Sequence, residues 1–392
     1  MGLIDTAAVR ERYLDELHRQ ILPFWSEHAI DGEHGGYLTG LARDGTLIES
    51  DKPVWFQGRF AWVLSTLHSG LDPNDEWLDL AKSGVDFLER HCFDDDGRMF
   101  FRVDRAGRPL IKRSRYLFSE CFAIMAMASY SRAAGEPRYL DRARALFDLV
   151  ERYRSTPGLL EPKFNQQTRP SRGFALPMIL LAVAQELRDC DPERAAAWTA
   201  KIDGYIDELR AFMKSEHQAV LEQMSADGKL EDHFEGRLLN PGHAIEAAWF
   251  ILREALHRGH DEQLVRMGTT ILDWMWSWGW DEQYGGIIYY RDVLNHPATE
   301  YWHDMKFWWP QCEAIIASLY AYLLTGKERY ARMFSQCDEW AHAHFPDREH
   351  GEWFGYLHRD GTVSSEIKGN MFKGPFHIPR MYIECVSVID RL

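Results

Sequence analysis

The 392-residue chain carries 45 Lys and Arg against 60 Asp and Glu, a formal net charge of −15. An acidic balance of this size opposes nucleic acid, which needs clustered cations to displace counterions, and opposes adsorption to an anionic membrane. With 45% apolar and 13% aromatic residues, the composition is globular, long enough for a sizeable core, and rich enough in rings to line a concave pocket.

The N-terminus, MGLIDTAAVRERYLDELHRQ, is charged and lacks the apolar run of a signal peptide. Gly2 and Thr6 fit the spacing of a myristoylation signal, but Thr6 reads better as the N-cap of a first helix. That helix is expected over 6–29, where Ala7, Val9, Tyr13, Leu14, Leu17, Ile21 and Phe24 recur at about 3.6-residue spacing. The loop HGGYLTGLARDGTL (34–47) follows, then helices over 58–70 and 75–91, and the loop DDDGRMFFRVDRAGRPL (94–110). Helices are predicted next over 117–134, 137–153, 174–189 and 192–215, before the loop MSADGKLEDHF (224–234). Helices over 243–258 and 261–278 precede YGGIIYYRDVLNHP (284–297); helices over 309–325 and 327–344 precede HGEWFGYLHRDGTV (350–363); the last helix covers 377–391. Each loop combines Gly, alternating apolar residues and a turn dipeptide such as Asp-Gly, which is hairpin chemistry. Gly135 and Gly326 read as helix stops.

One helix of each pair is amphipathic. The other is apolar nearly all round, as in FAIMAMASY, FALPMILLAVA, AIEAAWFIL and EAIIASLYAYLL, and a helix of that kind is buried by neighbours on every side. Six such pairs imply an all-α fold, an (α/α)6 barrel forming a single domain over 1–392 with short β-hairpin loops at one mouth. An open α-solenoid is the competitor; the lack of polar capping helices at the ends favours closure.

Cysteines stand at 92, 121, 190, 312, 337 and 385, none as C-x-x-C, so no zinc ribbon or thioredoxin-type site is written here. Cys121, Cys312 and Cys385 fall in apolar helical patterns, which predicts reduced thiols and a cytoplasmic protein. The longest apolar stretch, near 174–184, is too short to span a bilayer.

Polar chemistry collects where the inner helices begin. NPGHAIEAAW opens with a turn and sets His243 and Glu246 three residues apart on one helical face. They read either as a satisfied buried pair or as catalytic groups; H-x-x-E alone is a weak metal signature, and no metal is expected. His377 lies between two prolines in GPFHIPR, the equivalent place in another inner helix, so in a ring the two histidines could face each other. WFQGRFAW supplies Trp55, Gln57 and Arg59, and KFWWPQCEA supplies Trp309 and Glu313. Indoles stack on sugar rings, and Arg, Gln and Glu bind hydroxyls; the competing reading is that these Trp are core. Tyr116, Arg172 and Arg380 are further candidates, with Glu120 behind them. Dinucleotide, P-loop and nucleophile-elbow motifs are absent, and no Asp pair for glycoside cleavage stands at the inner-helix tips. Two imidazoles instead suit proton transfer near neutral pH.

These motifs resemble the N-acylglucosamine 2-epimerase family, which includes renin-binding protein, cellobiose 2-epimerases and aldose-ketose isomerases. The resemblance rests on WxQGRxxW (55–62), RYLFSE (115–120), NPGHxIEAAW (240–249), DMKxWWPQxEA (304–314), HGEWFGYLxRDG (350–361) and KGPFHIPR (373–380). It implies the same barrel and two-histidine proton transfer at C2 of an open-chain sugar. On that resemblance His243 and His377 are the acid–base pair, Arg59 stabilises the enediolate, Glu246 orients His243, and Glu313 holds the other side. Trp55, Tyr116 and Trp309 would shape the sugar pocket, with Gln57, Arg172 and Arg380 as further sugar contacts. Reprotonating the opposite face of C2 gives an epimer, whereas returning the proton to C1 gives a ketose, so an isomerase is the alternative outcome. A segment reading RPSRGFALPM, with Ala175 where isomerases and cellobiose epimerases carry an extra histidine, tilts the expectation toward N-acetylglucosamine and N-acetylmannosamine. The resemblance implies a small-molecule sugar as partner, no cofactor, and a homodimer; ATP as an effector stays open, since no phosphate loop is present. A catalytically silent binding protein is disfavoured by the joint presence of His243, His377, Arg59 and Glu313.

Overall fold

The computed structural model describes residues 3–114, 116–162 and 165–392. The first predicted helix is continuous but not uniform: α1 (Thr6–Glu16), one π turn (Leu17–Ile21) and α2 (Leu22–His28). Asp5, not Thr6, is its N-cap, the carboxylate accepting from Ala8 N–H at 3.1 Å; Gly2 lies outside the described residues. The unwound turn leaves the Gln20 carbonyl to accept Glu352 N–H at 3.2 Å, tying the helix to a loop near the other end of the chain.

The chain continues through α3 (Val54–Ser69), α4 (Asp75–His91), α5 (Phe118–Ala134), α6 (Pro137–Ser155), α7 (Ala175–Cys190) and α8 (Ala195–Arg210). A single turn, α9 (Phe234–Arg237), precedes α10 (Pro241–His257), α11 (Glu262–Gly279), α12 (Trp308–Thr325), α13 (Glu328–His344) and α14 (His377–Ile389). Gly135 and Gly326 end α5 and α12 with φ of 69° and 64°, values that favour glycine. α3 starts four residues before the predicted 58. Its first turn is buried, and buried backbone groups find their partners by continuing the helix. The helix predicted over 192–215 ends at Arg210 instead. Phe212 turns inward, edge-on to Phe174 with ring centroids 5.5 Å apart, and Met213–Lys214 pairs with Ala219–Val220 as a hairpin.

Among the described residues, α3, α5, α7, α10, α12 and α14 are buried nearly all round. Each packs against the next, and α14 returns to α3, which closes the ring. The amphipathic helices α1–α2, α4, α6, α8, α11 and α13 form the outer layer, and the fold is an (α/α)6 barrel. One apolar cluster runs from Ile4 to Ile389. The described cysteines are buried and free, and no helix is long and apolar enough to cross a membrane.

At one mouth, short strands stitch each loop to its neighbour: Lys52–Pro53 pairs with Arg102–Val103, Ser171–Gly173 with Gln223–Ser225, and Lys306–Phe307 with Tyr356–Leu357. A charge staple recurs three times beneath them. Asp31 accepts from buried Lys52 at 2.8 Å and from Arg105; Asp281 accepts from buried Lys306 at 3.0 Å and from Arg359; Asp347 holds buried Lys368 at 3.0 Å and Arg43. Burial pulls Lys306 and Lys368 down to about 8 against the opposing pull of their aspartates. The lysine ammonium groups also donate to backbone carbonyls, so these buried charges are fully hydrogen-bonded.

The seam of the ring is held by a second polar cluster. Asp338 on α13 accepts from Tyr13 O–H at 2.6 Å and from Arg12, both on α1. His342 on α13 lies 3.2 Å from Glu16, which also accepts from Tyr382 of α14 at 2.6 Å. Burial lowers the proton affinity of His342, but its bonds to Asp338 and Glu16 outweigh that and raise its pKa from 6.5 to about 9. A raised folded-state value contributes stability that is complete below 6.5 and lost as pH rises through about 9. His342→Gln is therefore expected to destabilise the protein by on the order of 3 kcal/mol near pH 6, with the gap to wild type closing by pH 9–10 in denaturant melts.

Candidate active site

The inner helices present their N-termini at the stitched mouth, and α10, α12 and α14 converge there. Asn240 caps α10, its side-chain oxygen accepting His243 N–H at 3.3 Å, and Pro241 fills the first turn, where no donor is missed. Gly242 follows because Trp309 packs on it: a Cβ there would come within 2.6 Å of the indole. This close approach brings the Trp309 ring against His243, with centroids 5.1 Å apart and planes tilted by 35°. The same indole lies 5.7 Å from His377, tilted by 39°. Residues 243 and 377 thus both lie against one indole.

Each imidazole has a carboxylate on Nδ1. His377 Nδ1 lies 2.7 Å from Glu313 Oε1, and His243 Nδ1 lies 3.0 and 3.1 Å from the two oxygens of Glu222. A proton on Nδ1 satisfies these acceptors and leaves the chemistry of each ring to Nε2. Glu313 is completely buried and also accepts from Trp249 N–H and Arg380 Nη2, both at 2.7 Å. Arg380 Nη2 reaches Glu246 at 2.5 Å as well. Burial pushes Glu313 up, with Arg380 and the Trp249 bond opposing it. His377 is held well below its usual value by burial first and then by the charges of Arg380, Arg59 and His243, with Glu246 opposing, which favours the uncharged ring.

Glu246, Glu313 and His377 bring three ligand-type atoms within 4.8 Å of one another. The cation these two carboxylates hold is the Arg380 guanidinium, and a divalent ion would have to sit against that positive charge.

Of the remaining candidates, Arg59 sits among the rings of Phe122, Trp55, Phe376 and Phe56, its guanidinium 4.1 to 5.1 Å from their centroids, close enough to act on His377. Trp55 is buried and donates to the Met371 carbonyl at 2.9 Å. Tyr116 is half-buried in the turn before α5; Arg115 of the same motif lies outside the described residues.

Four placements differ from the expectation. Glu246 is bonded to Arg380, and the carboxylate on His243 Nδ1 is that of Glu222, from a loop 21 residues earlier. Gln57 is engaged by backbone: it accepts Tyr37 N–H at 2.7 Å and donates to Tyr37 C=O at 2.9 Å, so both ends of its amide clamp a loop. Gln311 does the same to Ile287. Arg172 is exposed on the strand beside Met224, over Phe212, and Arg380 is buried inside the carboxylate network. Glu222 falls between the helix expected to end at 215 and the loop expected from 224, and no helical periodicity points it inward. Its backbone is pinned between Phe174 and Leu238, which open and precede two inner helices.

The family model described as N-acylglucosamine 2-epimerase matches residues 35–377. The chain belongs to this family. It is 37% identical over 391 residues to the human N-acylglucosamine 2-epimerase, covering 98% of this chain and 91% of that protein. Among solved structures it is similar to the cellobiose 2-epimerase of Bacillus thermoamylovorans B4167, with a TM-score of 0.85 at 21% identity over 97% of this chain and 99% of that one. A D-mannose isomerase matches with a TM-score of 0.82 at 17% identity over 98% of each chain. These two likenesses speak for the fold. The family makes the chain an isomerase acting on carbohydrates, a sugar 2-epimerase.

Because Gln57 is a backbone clamp, Gln57→Leu is expected to strand a buried N–H and C=O of Tyr37 and cost about 2–4 kcal/mol in denaturant unfolding. The KM for sugar should stay near the wild-type value, which steady-state kinetics checks.

Proposed function

We propose that this enzyme interconverts N-acetylglucosamine and N-acetylmannosamine by moving a proton at C2 of the open-chain sugar. The observation that carries the reading is the pair of imidazoles, each backed by a carboxylate, that both lie against the Trp309 indole. The identity to the human enzyme over nearly the whole chain supports the substrate class.

In this mechanism the sugar ring, opened to its aldehyde, lies against Trp309. Nε2 of one histidine takes the C2 proton, acidified by the neighbouring carbonyl. Negative charge moves onto O1 as the enolate, C2 bearing the acylamino nitrogen, and Arg59 is the nearby cation that stabilises it. The other histidine returns a proton to the opposite face, inverting C2. Each Nδ1 carboxylate stabilises its imidazolium while the proton is held. Arg380 keeps Glu313 ionised and in place and is not itself a sugar contact. Separate, buried thiols suit a reducing, cytoplasmic setting, and the cycle needs no cofactor.

Proton NMR in D2O tests the reading. With N-acetylglucosamine, the expected result is deuterium at C2 together with the manno epimer; fructose formed from mannose would mean isomerase chemistry, and no exchange with any hexose would remove the proposal. His243→Ala and His377→Ala should each reduce turnover by at least about 10³-fold with unchanged circular dichroism. Protonating His377 removes the base, and its value is depressed. The acid limb of kcat/KM is therefore expected below the ordinary histidine value of 6.5, with activity persisting as pH falls through that point.

A further inference from the structure

The two carboxylate–imidazole pairs are built from the same groups but are electrostatically unlike. On α14, His377 is buried, and its carboxylate, Glu313, is already shared with Arg380 and Trp249. Arg380 Nη2 also lies 3.2 Å from His377 Nδ1. Positive charge at that ring is opposed. On α10, the His243 side chain retains 28% of its exposure and Glu222 retains 22%. Among the described residues, the ion pair of Glu222 is with His243, and both carboxylate oxygens face Nδ1.

The tautomer at His243 follows from the same geometry. Asn240 Nδ2 lies 3.2 Å from Nδ1, and its oxygen is committed to the α10 backbone. Nδ1 cannot accept from that amide and donate to Glu222 at once. An unprotonated Nδ1 would place its lone pair against two carboxylate oxygens, so the charged acceptor wins and Nδ1 carries the proton.

We propose that Glu222 is the positioning residue that fixes His243 with its proton on Nδ1 and makes it the resting proton donor of the pair, with His377 as the resting base. The inference rests on the two-histidine reading above and deepens it. Among the described residues, the other charged groups near His243 do not reverse the assignment. The charged form of His377, which also contacts Trp309, is disfavoured by burial, and Glu246, one turn along α10, is tied to Arg380. The first proton is thus removed by His377 Nε2 and the second delivered from His243 Nε2. In the reverse direction the two exchange roles after the proton is redistributed through solvent.

Glu222→Gln keeps an acceptor for Nδ1–H but removes the charge, and Glu222→Asp keeps the charge on a shorter arm. For Glu222→Gln we expect kcat to fall about 10²-fold with KM changed less than about threefold, and the alkaline limb of the rate profile to move at least about one pH unit toward acid. Glu222→Asp should recover at least about tenfold of the lost kcat and return the limb toward wild type. An activity-independent readout is the 15N spectrum of histidine-labelled protein with His243→Ala as the assignment control. Wild type should show His243 retaining its imidazolium to higher pH than His377, and Glu222→Gln should lower that midpoint while leaving the His377 signal in place. Unchanged His243 titration and a rate profile identical to wild type in Glu222→Gln would overturn the proposal. A wild-type enzyme inert toward every hexose would instead overturn the epimerase reading, and the titration would still decide the role of Glu222.

Discussion

Arg380 is the interaction on which the centre of this barrel depends. Its guanidinium comes from the last inner helix and reaches carboxylates on two others, Glu246 and Glu313. All three groups are nearly excluded from water. A buried carboxylate is penalised by several kcal/mol unless a cation and further donors meet it; here the remaining acceptor sites of Glu313 go to Trp249 and His377. The arrangement is complete only when the ring has closed, because α14 is the element that closes it. His377 stands one turn before Arg380 on the same helix, so the helix that closes the ring also carries His377 to Glu313.

The mouth shows the same economy in another form. Inner helices that begin at a common rim leave their first N–H groups and their preceding loops to be satisfied there. Short cross-strands, side-chain amides and the three Asp–Lys–Arg staples take on that role. Gln57 and Gln311, on two different inner helices, each pair with one residue of a Gly-Gly loop as a strand neighbour would. Buried lysines are tolerated because each has an aspartate and backbone carbonyls around it. The result is a rim of short paired segments, without a large sheet, at which Trp309 meets both histidines.

Much of this was readable from particular residues. The unbroken apolar runs of FAIMAMASY and EAIIASLYAYLL marked α5 and α12 as inner helices, and Gly135 and Gly326 marked their ends. The repeated siting of histidine at an inner-helix start singled out residues 243 and 377. What failed did so for a physical reason. A spacing of three on a helix says that His243 and Glu246 share a face, but not which of them a third helix will engage; Arg380, 134 residues on, takes Glu246. Gln57 had the chemistry of a hydroxyl ligand and was drawn instead to an unpaired backbone. Phe212 carried helical periodicity past the point where burial against Phe174 turned the chain.

Local pattern, then, determined the elements: which helices are apolar on every side, where glycine stops them, and which turns carry chemistry-bearing residues. Periodicity and turn propensity act over a few residues, so they are written in the order of the chain. The partners of buried charge were decided only in three dimensions. A desolvated carboxylate takes whatever cation or donor the packing brings within about 3 Å: loop pairing sets Glu222 on His243, and closure of the ring sets Glu313 on His377 and Arg380 between the acids.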